Sequence, residues 1–269
     1  MNLLNRAKEI LSSADAILIT AGAGMGVDSG LPDFRGNSGF WREYPKAKEL
    51  GLSFEEMANP KWFKEKPHLA WAFYGDRLNL YRDITPHQGF KRLLELAKNK
   101  KYGYFIFTSN VDGQFQKSGF KEDNIMECHG SIHHLQCVNG CSRKIWLANN
   151  LNIEIDNKFM AKEPLPKCLE CGELARPNIL MFNDFSWIYD RTDSQRENIT
   201  KWIDNLEKVG ASLAVIEFGA GTAVPTVRNT SEQIASRFNT PLIRVNPRES
   251  FEADIGIELG ALEAIFALS

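Results

Sequence analysis

The stretch AILITAGAGMGVDSG at residues 16–30 indicates the fold most clearly. Its first five residues form an apolar run of the kind that is buried on both faces of a parallel sheet. The run leads into the glycine-rich loop at 22–30, where the backbone can turn tightly and approach a pyrophosphate closely. Apolar residues at helical spacing, from Leu3 to Leu11, precede the run. The pattern predicts the opening of a nucleotide-binding βα unit, with an ordinary glycine-rich turn as the alternative.

Three further apolar runs have the same character and end in the same way. They are YFIFT at 104–108, LAVIEF at 213–218 and LIRV at 242–245, and each leads into a polar or glycine-containing turn. In an open parallel sheet the carboxyl ends of the strands meet at one edge, where ligands bind. We therefore predict an α/β fold, a Rossmann-like parallel sheet domain, whose loops converge on a single site.

Length and charge narrow the class of protein. The chain of 269 residues is long enough for one large domain carrying a small insert. Its 32 basic and 34 acidic residues give a net charge of -2, which argues against binding to a nucleic acid backbone. No apolar stretch approaches the roughly 18 residues that span a membrane. Acidic residues precede the first apolar run, which argues against a signal sequence, so we expect a soluble cytoplasmic protein with no membrane partner.

Four of the five cysteines form two close pairs. The spacings Cys137-x3-Cys141 and Cys168-x2-Cys171 are typical of a structural zinc site with four thiolate ligands. The alternative is a set of unrelated buried cysteines, which the close pairing disfavours. The surrounding segment is poor in apolar residues, so we expect it to need the metal in order to fold. The sequence predicts a small zinc-binding module inserted at 131–180, in a protein from a reducing compartment.

Between Phe34 and about Pro67, aromatic residues lie among charges and turn residues, and the pattern predicts a long irregular connection. After Pro67 the pattern becomes helical. Tyr74 and Arg77 are three residues apart in this helical stretch and therefore share one face.

The motifs in this chain resemble those of the sirtuins, in the same order along the sequence. They are Leu31-Pro32-Asp33-Phe34-Arg35 after the glycine-rich loop, Thr108-Ser109-Asn110-Val111-Asp112, Cys128-His129-Gly130 with Cys137 eight residues after the histidine, the second cysteine pair, Arg176-Pro177 with the apolar run to Phe182, the turn at Gly219, and Val245-Asn246. The resemblance extends from about Asp15 to Leu268. It implies that residues 1–269 form one catalytic domain of this type.

The resemblance implies an NAD-dependent protein-lysine deacylase, with NAD as co-substrate and acylated-lysine proteins as partners. Nicotinamide and O-acyl-ADP-ribose would be released. His129 would be the general base that takes a proton from a ribose hydroxyl after the acyl oxygen has attacked the anomeric carbon, a task suited to a pKa near the operating pH. Asn110 would assist at the same ribose.

The resemblance also implies the remaining contacts. Cofactor contacts would be made by Gly22, Ala23, Gly24, Asp33, Phe34, Arg35, Ser109, Asn110, Val111, Asp112, Gly219, Thr222 and Asn246. In this set the loop glycines and Arg35 would hold the diphosphate, Phe34 would cover the nicotinamide, and Asp112 would hold the carboxamide. Substrate contacts would be made by Ile179, Leu180 and Phe182, which as an alternative form a plain buried strand. Cys128 is interpreted as a packing residue, and His133 and His134 as side chains without a catalytic role on a strand leading to Cys137.

The Tyr74 and Arg77 pair bears on the acyl group. Sirtuins that remove succinyl or malonyl groups carry a tyrosine and an arginine at this spacing and place, so the resemblance implies that Arg77 pairs with a distal carboxylate. The alternative is a surface arginine beside a half-buried tyrosine.

The chain departs from the family pattern at several positions near the cofactor. Gly26 replaces a serine, Ser109 a glutamine and Asn183 a glycine, while Ala220 and Gly221 replace hydroxyl residues, with Thr222 as a possible substitute. These changes leave two other functions open. One is ADP-ribosyl transfer or NAD hydrolysis at the same site. The other is a non-catalytic NAD-sensing module, against which the retained His129 and Asn110 argue.

Overall fold

A computed structural model describes residues 2–32 and 36–269, so the predicted cofactor contacts Asp33, Phe34 and Arg35 lie outside the described residues. The centre of the molecule is a parallel sheet of six strands. They are β1 (Ala16–Ala21), β2 (Tyr104–Thr108), β3 (Ile125–Glu127), β7 (Leu213–Phe218), β8 (Leu242–Val245) and β9 (Ile255–Ile257). Their order is β3-β2-β1-β7-β8-β9, and every neighbouring pair is parallel. The predicted Rossmann-like sheet is confirmed, and all four predicted strands are present.

Helices cover both faces of this sheet. The helices are α1 (Leu3–Ser13), α2 (Gly36–Glu43), α3 (Pro45–Glu49), α4 (Phe54–Met57), α5 (Trp62–Glu65), α6 (Pro67–Asp83), α7 (Gln88–Lys98), α8 (Gln114–Lys117), α9 (Asp190–Val209), α10 (Thr226–Arg237) and α11 (Ala261–Leu268), with short 3₁₀ helices at Ala23–Ser29 and Glu122–Asn124. Ile17 and Ile19 of β1 pack in one apolar cluster with α1, α7 and α11. Leu18, between them, packs in the cluster on the other face with α9 and α10. The strand is buried on both sides, which explains its continuous apolar sequence.

A second, antiparallel sheet lies between the two halves of the main sheet in the sequence. Its strands are β4 (Gly130–Cys137), β5 (Ile145–Leu147) and β6 (Ala175–Ile179), in the order β5-β4-β6. Apolar residues of this region, such as Ile132 and Ile153, share one core with Phe40 and Trp71 of the helical segment before it. The two parts touch closely, because a Cβ added at Gly75 of α6 would lie 2.5 Å from the side chain of Ile153.

The segment from 36 to 65 differs from the irregular connection that the sequence predicts. It forms the four short helices α2 to α5. Their aromatic side chains, including Phe40, Tyr44 and Phe63, are buried in the core shared with the small sheet. Burial against a distant part of the chain, which local sequence does not reveal, stabilises these helices.

Within 2–32 and 36–269, no helix combines the length and the apolar composition that crossing a membrane requires.

Candidate active site

A cavity of about 480 Å³ opens at the carboxyl edge of the main sheet. Its walls come from the loops after β1, β2 and β7, from the turn between β3 and β4, from helix α6 and from the end of β6. Most of the residues singled out in the sequence line it: Gly22, Ala23, Tyr74, Arg77, Ser109, Asn110, Val111, Asp112, His129, Ile179, Leu180, Phe182 and Gly219. The cavity lies at the carboxyl ends of the neighbouring strands β1 and β7. The next strand of the sheet is on one side for β1 and on the other side for β7, and this is the usual ligand position in such sheets.

The floor of the cavity is formed by backbone from two loops in direct contact. The amide of Gly24 donates a hydrogen bond to the carbonyl of Gly219, at 3.0 Å. A Cβ at Gly219, whose φ is +59°, would lie 2.4 Å from the Cα of Gly24, and one at Gly22 would lie 2.8 Å from the Cα of Ala220. Any side chain at these glycines would force the loops apart. The result is a floor without side chains that a diphosphate could approach closely.

The loop after β2 is tied to the same floor. The hydroxyl of Thr108 donates to the carbonyl of Ala21 at 2.9 Å and accepts from the amide of Asn110 at 3.0 Å. The side-chain amide of Asn110 in turn donates to the carbonyl of Gly22, at 2.9 Å. These bonds fix the position of Asn110 on the wall that it shares with His129.

Asp112, on the same loop, is a buried carboxyl group in the cavity wall. Burial raises its pKa to about 6, although it accepts a hydrogen bond of 2.8 Å from the amide of Gln114. Keeping the carboxylate of Asp112 charged in this buried position lowers the stability of the fold, as is common for groups placed for ligand binding.

This cost gives a testable prediction for Asp112→Asn. The folded protein binds the Asp112 proton more tightly than the unfolded chain, so the stability of the wild type falls as the pH rises from about 4 to about 6. The amide side chain has no charge to bury, and we expect the variant to be more stable at pH 7.5 by up to about 3 kcal/mol. Urea unfolding at pH 5 and pH 7.5 measures this gain, which should be smaller at the lower pH.

Asp15→Asn is the control for this experiment, because the carboxyl of Asp15 is exposed and hydrogen bonds from Ser212 lower its pKa. That variant should show no gain in stability at pH 7.5. A gain for Asp112→Asn that is equal at both pH values would contradict the assignment.

His129 lies in the turn between β3 and β4. Burial lowers the pKa of its imidazole, so the ring is neutral at pH 7, the form that can accept a proton. Within the described ranges neither ring nitrogen has a hydrogen-bond partner. The turn is held against β6, because the amide of Leu180 donates to the carbonyl of His129 at 2.9 Å. Gly130 is needed there, since a Cβ at its φ of +77° would lie 2.1 Å from the carbonyl oxygen of Asn178.

The neighbours of His129 fit the roles expected from the sequence. Burial raises the pKa of the Cys128 thiol to about 12, and this residue packs in the apolar cluster under α9 and α10. His133 lies near the carbonyl of Asp112, with 2.8 Å between its Nε2 and that oxygen, and supports the loop after β2 from outside the cavity.

Helix α6 lines one part of the cavity with the predicted substrate residues Tyr74 and Arg77. Arg77 is only 7% exposed and Tyr74 only 1%, so the alternative of a surface arginine beside a half-buried tyrosine is wrong. The guanidinium lies among aromatic rings, with its Cζ 5.3 Å from the centroid of Phe73, 5.5 Å from that of Tyr81 and 5.9 Å from that of Tyr74. A permanently charged group is therefore held inside an apolar wall of the cavity.

Tyr81 is a cavity residue that the sequence analysis missed. The Nε and Nη2 groups of Arg77 both donate to its phenol oxygen, at 3.1 and 2.9 Å. The available signal was spacing, because Tyr74, Arg77 and Tyr81 stand at i, i+3 and i+7 and so share one face of the helix.

The segment after β6 forms the opposite wall. Phe182 donates its amide to the carbonyl of Ala58 at 2.9 Å, which joins this segment to the end of α4. Arg176 of β6 and Asp184 of the segment after it form a buried ion pair at 2.8 Å, which holds this segment against the strand. Asn183 within it has a φ of +56°, a left-handed conformation that asparagine tolerates and that accounts for a glycine at this place in the family.

Gly24, Thr222 and Asn246 do not line the cavity. The amide of Thr222 donates to the carboxylate of Glu249 at 2.8 Å. Asn246 is fully buried and donates to the carbonyl of Ala220 at 3.0 Å, so it shapes the loop after β7 from below. The loop after β1 has little space at Gly26, because an added Cβ would lie 3.0 Å from the side chain of Leu31.

The two cysteine pairs come together near the ends of β4 and β6 of the small sheet. Their four sulfur atoms all lie within 4.8 Å of one another, with Cys137 and Cys171 3.7 Å apart and Cys141 and Cys168 3.5 Å apart. A tetrahedral zinc ion with Zn–S bonds of about 2.3 Å requires sulfur atoms about 3.8 Å apart. The donor set and its spacing therefore fit a structural zinc ion.

Comparison with known proteins identifies a family and several relatives. A sequence model described as Sir2 family matches residues 22–217. An NAD-dependent protein deacylase of Thermococcus kodakarensis is 33% identical over 182 residues, which are 68% of this chain and 65% of that protein. One of Pyrococcus abyssi is 32% identical over 209 residues, 78% of this chain and 74% of that protein. The matched region thus spans just under two-thirds of the Thermococcus relative.

Solved structures show the same fold. A mutant Sir2 homologue in complex with ADP-ribose has a TM-score of 0.75 at 23% identity and covers 100% of this chain and 95% of its own. A Sir2 homologue in complex with NAD has a TM-score of 0.75 at 22% identity and covers 98% and 91%.

Proposed function

The chain belongs to the Sir2 family, and from that premise we propose that it is an NAD-dependent protein-lysine deacylase. It would act on acylated-lysine proteins in a reducing compartment, the cytoplasm, and release nicotinamide and O-acyl-ADP-ribose. The observation that carries the proposal is the single cavity. Its lining joins the glycine floor, the polar loop 109–112 and His129 to side chains of α6 and of the segment from Ile179 to Phe182.

The residues have separate tasks in this scheme. NAD, when bound, supplies a ribose carbon whose bond to nicotinamide can break. Gly22 and Gly219 offer the diphosphate a floor of backbone, while Asn110 and Asp112 hold the nicotinamide end with fixed hydrogen-bonding groups. His129, neutral and facing the cavity, takes a proton from a ribose hydroxyl. The apolar side chains of Ile179, Leu180 and Phe182 exclude water around the acyl-lysine chain.

The acyl group removed would preferably be acidic, such as succinyl or malonyl. Arg77 places a positive charge in the cavity wall, where little water competes for it. A hydrogen bond to a charged group contributes about 1.5–3 kcal/mol, so a terminal carboxylate would favour binding by about tenfold to hundredfold over acetyl.

Arg77→Met tests this preference. The substitution keeps most of the side-chain volume and removes the charge, so we expect the ratio of desuccinylation to deacetylation to fall by about tenfold or more. Succinyl- and acetyl-lysine peptides of one sequence, assayed by kcat/KM, measure the ratio. Arg82→Met is the matched control, because Arg82 lies on the same helix but donates to the carbonyls of Ala148 and Leu151 outside the cavity. An unchanged ratio for Arg77→Met would refute the acidic preference.

A second function at this site is transfer of ADP-ribose to a protein, or hydrolysis of NAD. The loop after β7 supports it as an alternative, because Ala220 and Gly221 line the cavity where the family resemblance implies hydroxyl groups. NAD breakdown without any acyl peptide, or label from NAD remaining on protein, would favour this function. NAD binding without any turnover would instead favour a sensing module.

A further inference from the structure

The phenol of Tyr81 accepts two hydrogen bonds from Arg77, and the proposed deacylase scheme assigns no task to its own proton. Tyr81 is 6% exposed and lines the cavity together with Tyr74 and Arg77 on one face of α6. Two N–H groups of Arg77 donate to its oxygen. A phenol has two acceptor positions and one proton to donate. Because both acceptor positions face the guanidinium, the O–H group is directed away from Arg77.

The chemical state of this phenol suits a donor. Burial raises its pKa, so the proton stays on the oxygen at every pH at which the enzyme would work. Donation from a cation to the phenol oxygen also polarises the O–H bond and strengthens its own donation. A neutral, polarised donor beside a guanidinium suits a carboxylate, which accepts bonds from several donors at once.

We propose that Tyr81 is a specificity-determining residue: it donates its O–H to the distal carboxylate of an acidic acyl-lysine while its oxygen holds the Arg77 guanidinium in place. This inference rests on the proposed deacylase function and deepens it. The distal carboxylate then contacts one cation, the guanidinium of Arg77, and one neutral donor, the phenol of Tyr81, and both lie on the same helix. An acetyl group presents no such anion, so it draws no benefit from the Tyr81 hydroxyl.

Tyr81→Phe isolates the hydroxyl, because the ring that packs beside Arg77 is retained. We expect kcat/KM for a succinyl-lysine peptide to fall by about tenfold, mainly through KM, and kcat/KM for the matched acetyl peptide to stay within about twofold. Calorimetric titration of the same peptides without NAD should show weaker binding of the succinyl peptide alone. Tyr44→Phe is the matched control, since it removes another buried phenol oxygen outside the cavity lining.

The outcomes separate this inference from the proposed function. If Tyr81→Phe matches the wild type on both peptides while Arg77→Met loses succinyl activity, the role of Tyr81 is refuted and the acidic preference stands. Equal losses on both peptides would also refute it, because they would show a purely structural role. A wild-type enzyme with no succinyl preference would overturn the inference together with the acidic preference, and one with no deacylation at all would overturn the proposed function.

Discussion

His129→Ala is expected to stop product formation, with a fall in kcat of about 10²- to 10⁴-fold, and to leave NAD binding largely intact. The half-buried imidazole lies on the cavity wall with its pKa lowered by burial, as the proposed base requires, and no other histidine lines that cavity in the described chain. Alanine removes the proton acceptor but not the glycine floor that would hold the diphosphate. Mass analysis of peptide and nucleotide products after incubation with NAD and an acyl-lysine peptide measures the effect, and calorimetric titration measures NAD binding.

His134→Ala is the control for that experiment, because His134 lies on strand β4 but does not line the cavity. It should retain kcat within a few-fold. Deacylation by His129→Ala at more than a tenth of the wild-type rate would contradict the role of His129 as the base. NAD hydrolysis that survives in His129→Ala would point instead to the alternative function at this site.

The main sheet was predictable because its central strands are buried on both faces. The runs at 104–108, 213–218 and 242–245 match β2, β7 and β8 in both bounds, and the first run differs from β1 only by Ala21. The outer strands β3 and β9 were missed. Each has three residues, IME and IGI, which are too short to form an apolar run against the background of the chain.

The helices between 36 and 65 could not be read from local sequence for a different reason. All four have eight residues or fewer, a length at which a helix in water is not stable by itself. They are held by aromatic packing in the core shared with the small sheet, for example Tyr44 against Phe73 with ring centroids 5.0 Å apart and Phe159 against Tyr44 at 5.7 Å. Such contacts join residues far apart in the chain.

The candidate site also combines features that the sequence predicts with contacts that it does not. The strand ends of the parallel sheet bring Gly22, Asn110 and Gly219 together, and that convergence follows from the sequence pattern. Contacts by side chains from other elements do not follow from it. The bond between Thr222 and Glu249 and the pairing of Arg77 with Tyr81 depend on rotamers and on neighbouring elements, which spacing alone leaves undetermined.

Loss of zinc is expected to have the largest effect on the structure. The four cysteines join the turn at 137–141 to the turn at 168–171, and the chain between them contains only the three-residue strand β5. Zinc contributes about 10–16 kcal/mol to the folding of small thiolate sites, comparable to the whole stability of a typical domain. Cys171→Ser, which leaves a three-thiolate site, should therefore lose zinc and unfold the region from 137 to 175.

Metal content by elemental analysis and hydrogen exchange by mass spectrometry measure this outcome. The wild type should carry about one zinc per chain, and amide protection in Cys171→Ser should vanish between 137 and 175 while β1, β2 and β7 stay protected. Cys128→Ala is the matched control, because Cys128 is a buried cysteine outside the cluster and should keep both metal and protection. Activity should fall with the metal, because β6 leads into the cavity-lining residues Ile179 and Leu180, and the amide of Leu180 donates to the carbonyl of His129. Full zinc content and native exchange in Cys171→Ser would show that the four sulfur atoms are not a metal site.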